Sequence, residues 1–188
     1  MFILSKRNAV ILAIVLSILM WATRDHHVAT LTHLPDASWA IFFLLGFYFR
    51  ERIMLPAFLA QAALIDYVAI TQFGISDYCV TPAYAFLLPA YSALWLAGRW
   101  YAARHPLHAR SLPLFAAAAG GTAACELISS GSFYFLGGRF ADTTLVEFSS
   151  RLAQYFPGNL ANVALYLGVA ALIHVLIASA QRSASPAQ

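Results

Sequence analysis

The chain has 188 residues, of which 61% are apolar and 10% are charged. Because a soluble domain carries about 25% charged residues, this composition excludes an ordinary soluble protein and predicts an integral membrane protein. The single lysine, Lys6, precedes the first apolar run, whereas a P-loop needs a lysine within a glycine-rich turn, so the chain is not itself a P-loop ATPase. The net charge of +3 does not indicate nucleic-acid binding, because the basic residues lie between apolar runs rather than in one patch.

Six apolar runs are candidates for membrane helices, since about 20 residues cross the hydrocarbon core and fewer suffice where a helix is sheltered. They cover residues 9–22, 38–49, 53–73, 83–97, 112–136 and 160–178. The second run is short, and only Arg50, Glu51 and Arg52 separate it from the third, which predicts a tight cytoplasmic turn. We therefore predict an all-α protein with one six-helix membrane domain over residues 1–182 and a disordered tail at 183–188.

The basic residues collect on one side of these runs. If the N-terminus is cytoplasmic, the inner segments hold Lys6, Arg7, Arg50, Arg52, Arg99, Arg104, Arg110 and Arg182, and the outer segments hold Arg24, Arg139 and Arg151. The positive-inside rule then predicts that both termini are cytoplasmic, in an inner or plasma membrane. Residues 21–24 make a poor signal-peptidase site, so the first run is predicted to remain as a helix.

Two carboxylates lie within the runs, where a membrane should exclude them. Asp66 is about 10 Å below the outer end of the third run, and Glu126 is about 15 Å below the outer end of the fifth. Tyr84 and Tyr91, seven residues apart on the fourth run, share a helical face. These residues predict a polar and aromatic cavity that opens to the outside. The alternative is that both carboxylates only bond to Ser and Tyr side chains between helices.

The two cysteines are not predicted to form a disulfide. Cys125 lies inside the fifth run, as a small buried hydrophobe. Cys79 lies in the loop before the fourth run, where Thr81 and Pro82 are predicted to be the N-cap and first residue of a helix. The helix dipole favours a thiolate there, whereas Asp77 opposes one. Cys79 is a candidate soft metal ligand or nucleophile, with an inert loop residue as the alternative.

Three histidines, His26, His27 and His33, lie in the first outer loop, within reach of Cys79 as a general base or as metal ligands. No paired CxxC or HxxxH spacing supports a metal site, so solvated loop histidines are the simpler interpretation.

On the first helix, Ala9 and Ala13 form a small-xxx-small pair that Ser17 continues. Such a stripe lets another helix approach closely, whether that helix belongs to a partner or to the same chain.

Six predicted spans, a cytoplasmic N-terminus, an outward cavity and the stripe at Ala9 and Ala13 resemble an S-component, the substrate-capturing subunit of an energy-coupling-factor (ECF) vitamin transporter. In that family the stripe docks on a transmembrane coupling subunit that two ATPases drive, and a chain without a P-loop fits that arrangement. Within the family, Asp66 followed by Cys79 and then Tyr84 resembles the BtuM-type, cobalamin-specific S-components.

The resemblance implies that the cargo is cobalamin (vitamin B12) and that Cys79 ligates its cobalt. A soft thiolate is suited to replace the benzimidazole base on the lower face of the corrin, so the nucleotide tail has to swing away. A thiolate also pushes electron density onto cobalt, which leads to the hypothesis that the protein releases cyanide from cyanocobalamin.

The resemblance implies further contacts with the cargo. Asp66 and Glu126 would accept hydrogen bonds from corrin amides, and Tyr78 and Tyr84 would pack on the ring. Arg151 would reach amide carbonyls or the phosphate. His26 and His27 would cover the upper face.

Three other functions fit the sequence. The first is an S-component for another vitamin or for a nickel or cobalt ion, although Phe2 stands where the nickel and cobalt members have a histidine. The second is a small membrane thiol enzyme that uses Cys79 and a loop histidine, and the third is a sensory or assembly subunit.

Overall fold

The computed structural model describes residues 5–24, 34–105 and 111–184, and every regular element in these segments is helical, as predicted. The elements are α1 (Lys6–Thr23), α2 (Ser38–Tyr48), α3 (Met54–Phe73), the 3-10 helix Pro82–Phe86, α4 (Leu87–Arg104), α5 (Ser111–Leu136) and α6 (Leu145–Ala184). Four of them, α1, α3, α5 and α6, are long and apolar enough to cross a membrane.

α1 and α3 lie side by side and run in the same direction. Near their middles, the Ser17 hydroxyl donates to the Gln61 side-chain oxygen at 3.0 Å. Further along both helices, Arg24 Nε lies 2.6 Å from Asp66 Oδ1. Because residue numbers rise together along α1 and α3, the two helices are parallel. The chain therefore has to run back through α2 to connect them.

α2 runs in the direction opposite to α1 and α3, and α4 and α6 share its direction. The rings of Phe42 on α2 and Tyr91 on α4 stack with centroids 4.4 Å apart. The Tyr166 hydroxyl donates to the carbonyl of Pro35 before α2, and Tyr48 at the end of α2 hydrogen-bonds His174, 3.3 Å away, later on α6.

α5 completes the alternation. Its Gly121 packs against Ala97 of α4, and its Phe133 lies near Tyr78, which precedes α4. Residue numbers on α5 therefore rise as those on α4 fall, so the two helices are antiparallel. The start of α1 and the end of α6 consequently lie at the same end of the bundle.

α2 forms the centre of the bundle. Its buried residues are Ser38, Ala40, Ile41, Phe42, Phe43, Leu44, Leu45 and Gly46. A helix that is apolar and enclosed on every side is a core element rather than a lipid-facing one. With 11 residues it is about 16 Å long, which is shorter than the hydrocarbon core of about 30 Å.

The predicted start of the fourth run is confirmed in its capping residues. Thr81 is the N-cap, its hydroxyl accepts from the Ala83 backbone N–H at 3.2 Å, and Pro82 follows as the first helical residue. The helix begins with a 3-10 segment and continues as α4 from Leu87.

The predicted start of the last run, at residue 160, is wrong. α6 begins at Leu145, so Arg151 lies on a helix rather than in an outer loop. Pro157 lies inside α6, where the missing N–H of proline removes one backbone hydrogen bond without ending the helix. At the other end, α6 extends to Ala184, and residues 185–188 lie outside the described part.

The stripe on α1 faces the bundle of this chain. Ala9 and Ala13 are half-buried and pack against the core, whereas Val10, Ile14 and Ile18 are more than half exposed. This is the internal packing that the sequence left as an alternative to a docking contact.

Candidate binding site

A cavity of about 470 Å³ lies at the end of the bundle where α1, α3 and α5 end. Its volume falls in the range of small-molecule sites, about 300–1,000 Å³. Five of the residues predicted to contact a ligand line it, namely Asp66, Cys79, Tyr84, Glu126 and Arg151. They come from four separate segments of the chain, so the fold brings together residues that the sequence holds far apart.

Cys79 lies on the loop between α3 and the 3-10 helix. Gly74 ends α3 in the left-handed conformation, with φ of 67°, and the loop then returns along the cavity past Ser76 and Val80. The thiol of Cys79 is free and the residue is exposed, whereas Cys125 is free and buried, as predicted. The cavity wall therefore presents one accessible soft donor.

The described residues form no preformed metal site beside this thiol. Within residues 5–24, 34–105 and 111–184, no three His, Cys, Asp or Glu side chains are grouped closely enough to hold a metal ion. The predicted loop histidines, His26, His27 and His33, lie outside the described residues. In the described part, Cys79 can act as a single ligand to a metal that arrives with its other ligands already in place.

Asp66 is held by a forked ion pair. Arg24 donates from Nε to Oδ1 at 2.6 Å and from Nη2 to Oδ2 at 2.8 Å, which is the bidentate geometry that suits a guanidinium and a carboxylate. The Tyr84 hydroxyl donates to Oδ2 at 2.6 Å. The Asp66 side chain remains 25% exposed, so one edge of the carboxylate still faces the cavity.

Arg24 also binds two neighbouring helices. Its Nη1 donates to the Ser38 hydroxyl at 3.0 Å and to the Tyr91 hydroxyl at 3.1 Å. Burial alone would lower the pKa of Arg24, but the oxygens of Tyr91 and Asp66 outweigh that effect and raise this pKa well above its usual value. The guanidinium is therefore a permanent charge that fixes the position of Asp66.

Arg24 directly follows the first helix, in the segment where the sequence placed it, but it does not extend into a loop. Its side chain is 6% exposed, and it caps the end of α1 rather than facing water. The sequence did contain a signal for this ion pair, an arginine directly after one apolar run and an aspartate inside another. A buried charge is stabilised by an opposite charge beside it.

Glu126 lies deeper, on α5, and is 2% exposed. Ser130 donates to its Oε1 at 2.8 Å, and Asn159 of α6 donates to its Oε2 at 2.6 Å. The ion pairs found among the described residues do not include Glu126. The carboxylate therefore has hydrogen-bond donors but no countercharge there. Asn159, which the sequence interpretation missed, lies just before the predicted start of the last run.

Arg151 reaches the cavity from the first turns of α6. Glu147, four residues earlier, accepts from its Nε at 3.0 Å and from its Nη2 at 2.8 Å. The guanidinium carbon lies 4.7 Å from the centre of the Phe140 ring and 5.7 Å from that of Tyr134. The guanidinium consequently lies over two aromatic rings, at cation–π distance.

Tyr78 does not line the cavity, although it was predicted to contact a ligand. Its ring packs edge-on against Phe133 with centroids 5.7 Å apart, and the guanidinium of Arg139 covers it at 4.9 Å. Tyr78 thus links the Cys79 loop to α5 instead of facing the cavity.

Comparison with known proteins does not identify a family for this chain. No family model matches the chain, and no curated protein matches it. The fold and site define an all-helical protein with several helices able to cross a membrane and a ligand-sized cavity at one end. Any function has to be argued from that cavity.

Proposed function

We propose that this chain is the substrate-binding subunit for cobalamin uptake, similar to the BtuM-type S-components, and that it works with an ECF coupling subunit and two ATPases. The observation that carries the proposal is the position of Cys79, an exposed thiol on the wall of a cavity that also contains Asp66 and Tyr84. ATP is bound by the partners, since this chain has no P-loop lysine.

The chemistry of the cavity suits a corrinoid. Cobalt in a corrin already has its equatorial ligands, so it needs one additional soft donor rather than a complete protein site, and Cys79 supplies that donor. The exposed edge of Asp66 can accept a corrin amide N–H while Arg24 and Tyr84 hold the rest of the carboxylate. Glu126 offers a second acceptor at the bottom of the cavity.

The proposal includes six membrane spans with both termini in the cytoplasm. The alternating directions of the helices support it, and so does the distribution of charge. Arg24 is buried in an ion pair and Arg151 is paired with Glu147, which leaves few unpaired basic residues near the cavity. The opposite end carries the exposed residues Arg50 and Arg52. The cavity then faces outward in a bacterial inner membrane, and the loaded subunit topples to deliver its cargo inward.

The test is the visible spectrum of protein purified from cells supplied with cobalamin, because corrinoids are coloured. We expect a coloured wild-type protein whose spectrum reports a thiolate-ligated cobalt, and a Cys79→Ala variant that is folded but lacks that signature. Cys125→Ala is the matched control, since this cysteine is buried and does not line the cavity.

Two outcomes would contradict the proposal at different levels. A colourless wild-type protein that also fails to bind added cobalamin would exclude a cobalamin subunit. A Cys79→Ala variant with the same bound spectrum as wild type would show that the cysteine is not the cobalt ligand.

A further inference from the structure

One side of the cavity is formed by aromatic rings. They come from the end of α5, from the link to α6 and from the first turns of α6, and we refer to them as the aromatic wall: Phe133, Tyr134, Phe140, Phe148 and Tyr155. Tyr134 lies at the centre, with its ring 4.8 Å from that of Phe140 and stacked on Phe148 at 5.7 Å. The cavity lining also includes the thiol of Cys79 and the carboxylates of Asp66 and Glu126.

The aromatic wall does not have the burial of a closed hydrophobic core. Tyr134 is buried, and its hydroxyl donates to Glu147 and accepts from the Thr144 N–H, so it serves as the base of the wall. Phe140 and Phe148 are only partly buried although both line the cavity, and Tyr155 is 54% exposed. Part of the ring surface of these three residues is thus accessible beside the cavity, and a flat aromatic group can pack against it.

Arg151 adds a positive charge to the aromatic wall. Glu147 takes hydrogen bonds from Nε and Nη2, while Nη1 makes none with the described residues. Glu147 itself does not line the cavity, whereas Arg151 does. The free N–H groups of Nη1 are therefore suited to an anion that enters from the cavity.

Within the described residues, the other charges of the cavity leave no second place for an anion. Arg24 is buried and its guanidinium is occupied by Asp66, Ser38 and Tyr91. Both carboxyl oxygens of Glu126 accept hydrogen bonds, from Ser130 and Asn159, so this residue offers no donor to a phosphate. Among the cavity-lining arginines that the structure describes, only Arg151 has a guanidinium nitrogen, Nη1, without a hydrogen bond to a described residue.

We infer that the aromatic wall and Arg151 bind the nucleotide tail of cobalamin, with the benzimidazole stacked on the rings and the phosphate at Nη1 of Arg151. This inference rests on the proposed function. Once Cys79 replaces the benzimidazole on cobalt, the displaced base is a flat aromatic group tethered through a phosphate. The aromatic wall offers rings for the base, and Arg151 offers N–H groups for the phosphate.

The experiment compares two corrinoids, cobalamin and cobinamide, which has the corrin ring but lacks the nucleotide tail. We expect Arg151→Gln and Phe140→Leu each to weaken cobalamin binding about tenfold and to change cobinamide binding less than twofold. Tyr155→Leu removes a ring that is mostly exposed, so it tests the same subsite without disturbing packing. Arg104→Gln and Phe115→Leu, which lie outside the cavity, are the matched controls for lost charge and lost ring.

The possible results separate the two proposals. If the Arg151, Phe140 and Tyr155 variants weaken both corrinoids equally, or weaken neither, the nucleotide subsite is wrong while cobalamin binding stands. If the wild-type protein binds neither corrinoid, the proposed function fails and the subsite fails with it.

Discussion

The ion pair between Arg24 and Asp66 connects the cavity to the packing of the bundle. Arg24 contacts α2 through Ser38, α3 through Asp66 and α4 through Tyr91, and it lies at the end of α1. A charge with this many partners fixes the relative positions of four helices. It also holds the carboxylate in place before any ligand arrives, which lowers the entropic cost of binding.

We expect Arg24→Met to reduce the free energy of unfolding by about 3–5 kcal/mol, because Asp66 then stays largely buried without a countercharge. The measurement is thermal unfolding in detergent. The stability of Arg24→Lys should fall between that of wild type and that of Arg24→Met, since lysine keeps the charge but loses the guanidinium fork that contacts three side chains.

The control for this prediction is the double variant with Arg24→Met and Asp66→Asn. Removing both charges should restore part of the stability lost in the single variant. If the single and double variants unfold at the same temperature, the ion pair is not the source of the effect.

Cys79 gives a second prediction at the residue scale, the release of cyanide from cyanocobalamin. The thiolate sulfur bonds to cobalt, the benzimidazole nitrogen leaves it, and cyanide departs with its bonding electron pair, so cobalt stays trivalent. We expect the spectrum of cyanocobalamin to change on incubation with wild-type protein, with free cyanide detected, but not with Cys79→Ala. Tight binding with an unchanged spectrum would contradict the hypothesis.

The type and position of single residues predicted much of the cavity lining, but not which side chains pair with each other. Asp66 and Glu126 were recognisable because a membrane excludes carboxylates, and both line the cavity. Arg24 and Asn159 were missed because each pairs with a residue far away in sequence. Pairing of that kind depends on how helices are arranged, which local hydropathy does not encode.

At the scale of elements, α2 and α4 pack closely against each other at two glycines, Gly46 and Gly98. A Cβ atom on Gly46 would lie 1.9 Å from the carbonyl oxygen of Trp95, and one on Gly98 would lie 2.0 Å from that of Phe43. Both neighbours are backbone atoms, which cannot move aside as a flexible side chain does. The two helices thus approach at a distance that only hydrogen at these positions allows.

We expect Gly46→Ala and Gly98→Ala each to destabilise the protein by about 1–3 kcal/mol or more, because the added methyl group must separate α2 from α4. Thermal unfolding in detergent measures the loss. Gly120→Ala on α5 is the matched control, because nothing lies within 4 Å of its Cβ position. It should be neutral or slightly stabilising, since alanine favours helix. Equal effects at all three positions would contradict close packing.

The boundaries of the helices are not all predicted by hydropathy. It identified a helix at each of the six apolar runs, but it placed the start of α6 after Pro157 and Gly158. The first turns of α6 carry Glu147 and Arg151, whose i,i+4 pair stabilises a helix that is not uniformly apolar. α2 shows the reverse case, since its uniformly apolar sequence reflects burial inside the bundle, where a sheltered helix can be shorter than the hydrocarbon core.

At the scale of the whole molecule, the alternating directions of the helices put the cavity and the Arg50–Glu51–Arg52 turn at opposite ends. Cys79 lies beside the cavity, and that turn joins α2 to α3 at the other end. Sequence could predict this separation from the charge distribution, but the common cavity depends on long-range contacts. The two ends provide sites for measuring the orientation of the chain in a membrane.

We expect a membrane-impermeant maleimide to label Cys79 in right-side-out vesicles and not in sealed inverted vesicles, because the residue is exposed at the cavity end that we assign to the outside. Cys125 is buried and should not react from either side, so Cys79→Ala should abolish labelling. In that background, Glu51→Cys should react only in inverted vesicles, because Glu51 is exposed at the opposite end. Bound cobalamin should protect Cys79 while leaving Glu51→Cys reactive. Labelling of Cys79 only in inverted vesicles would reverse the assigned orientation, and labelling at both positions from one side would contradict the alternating fold itself.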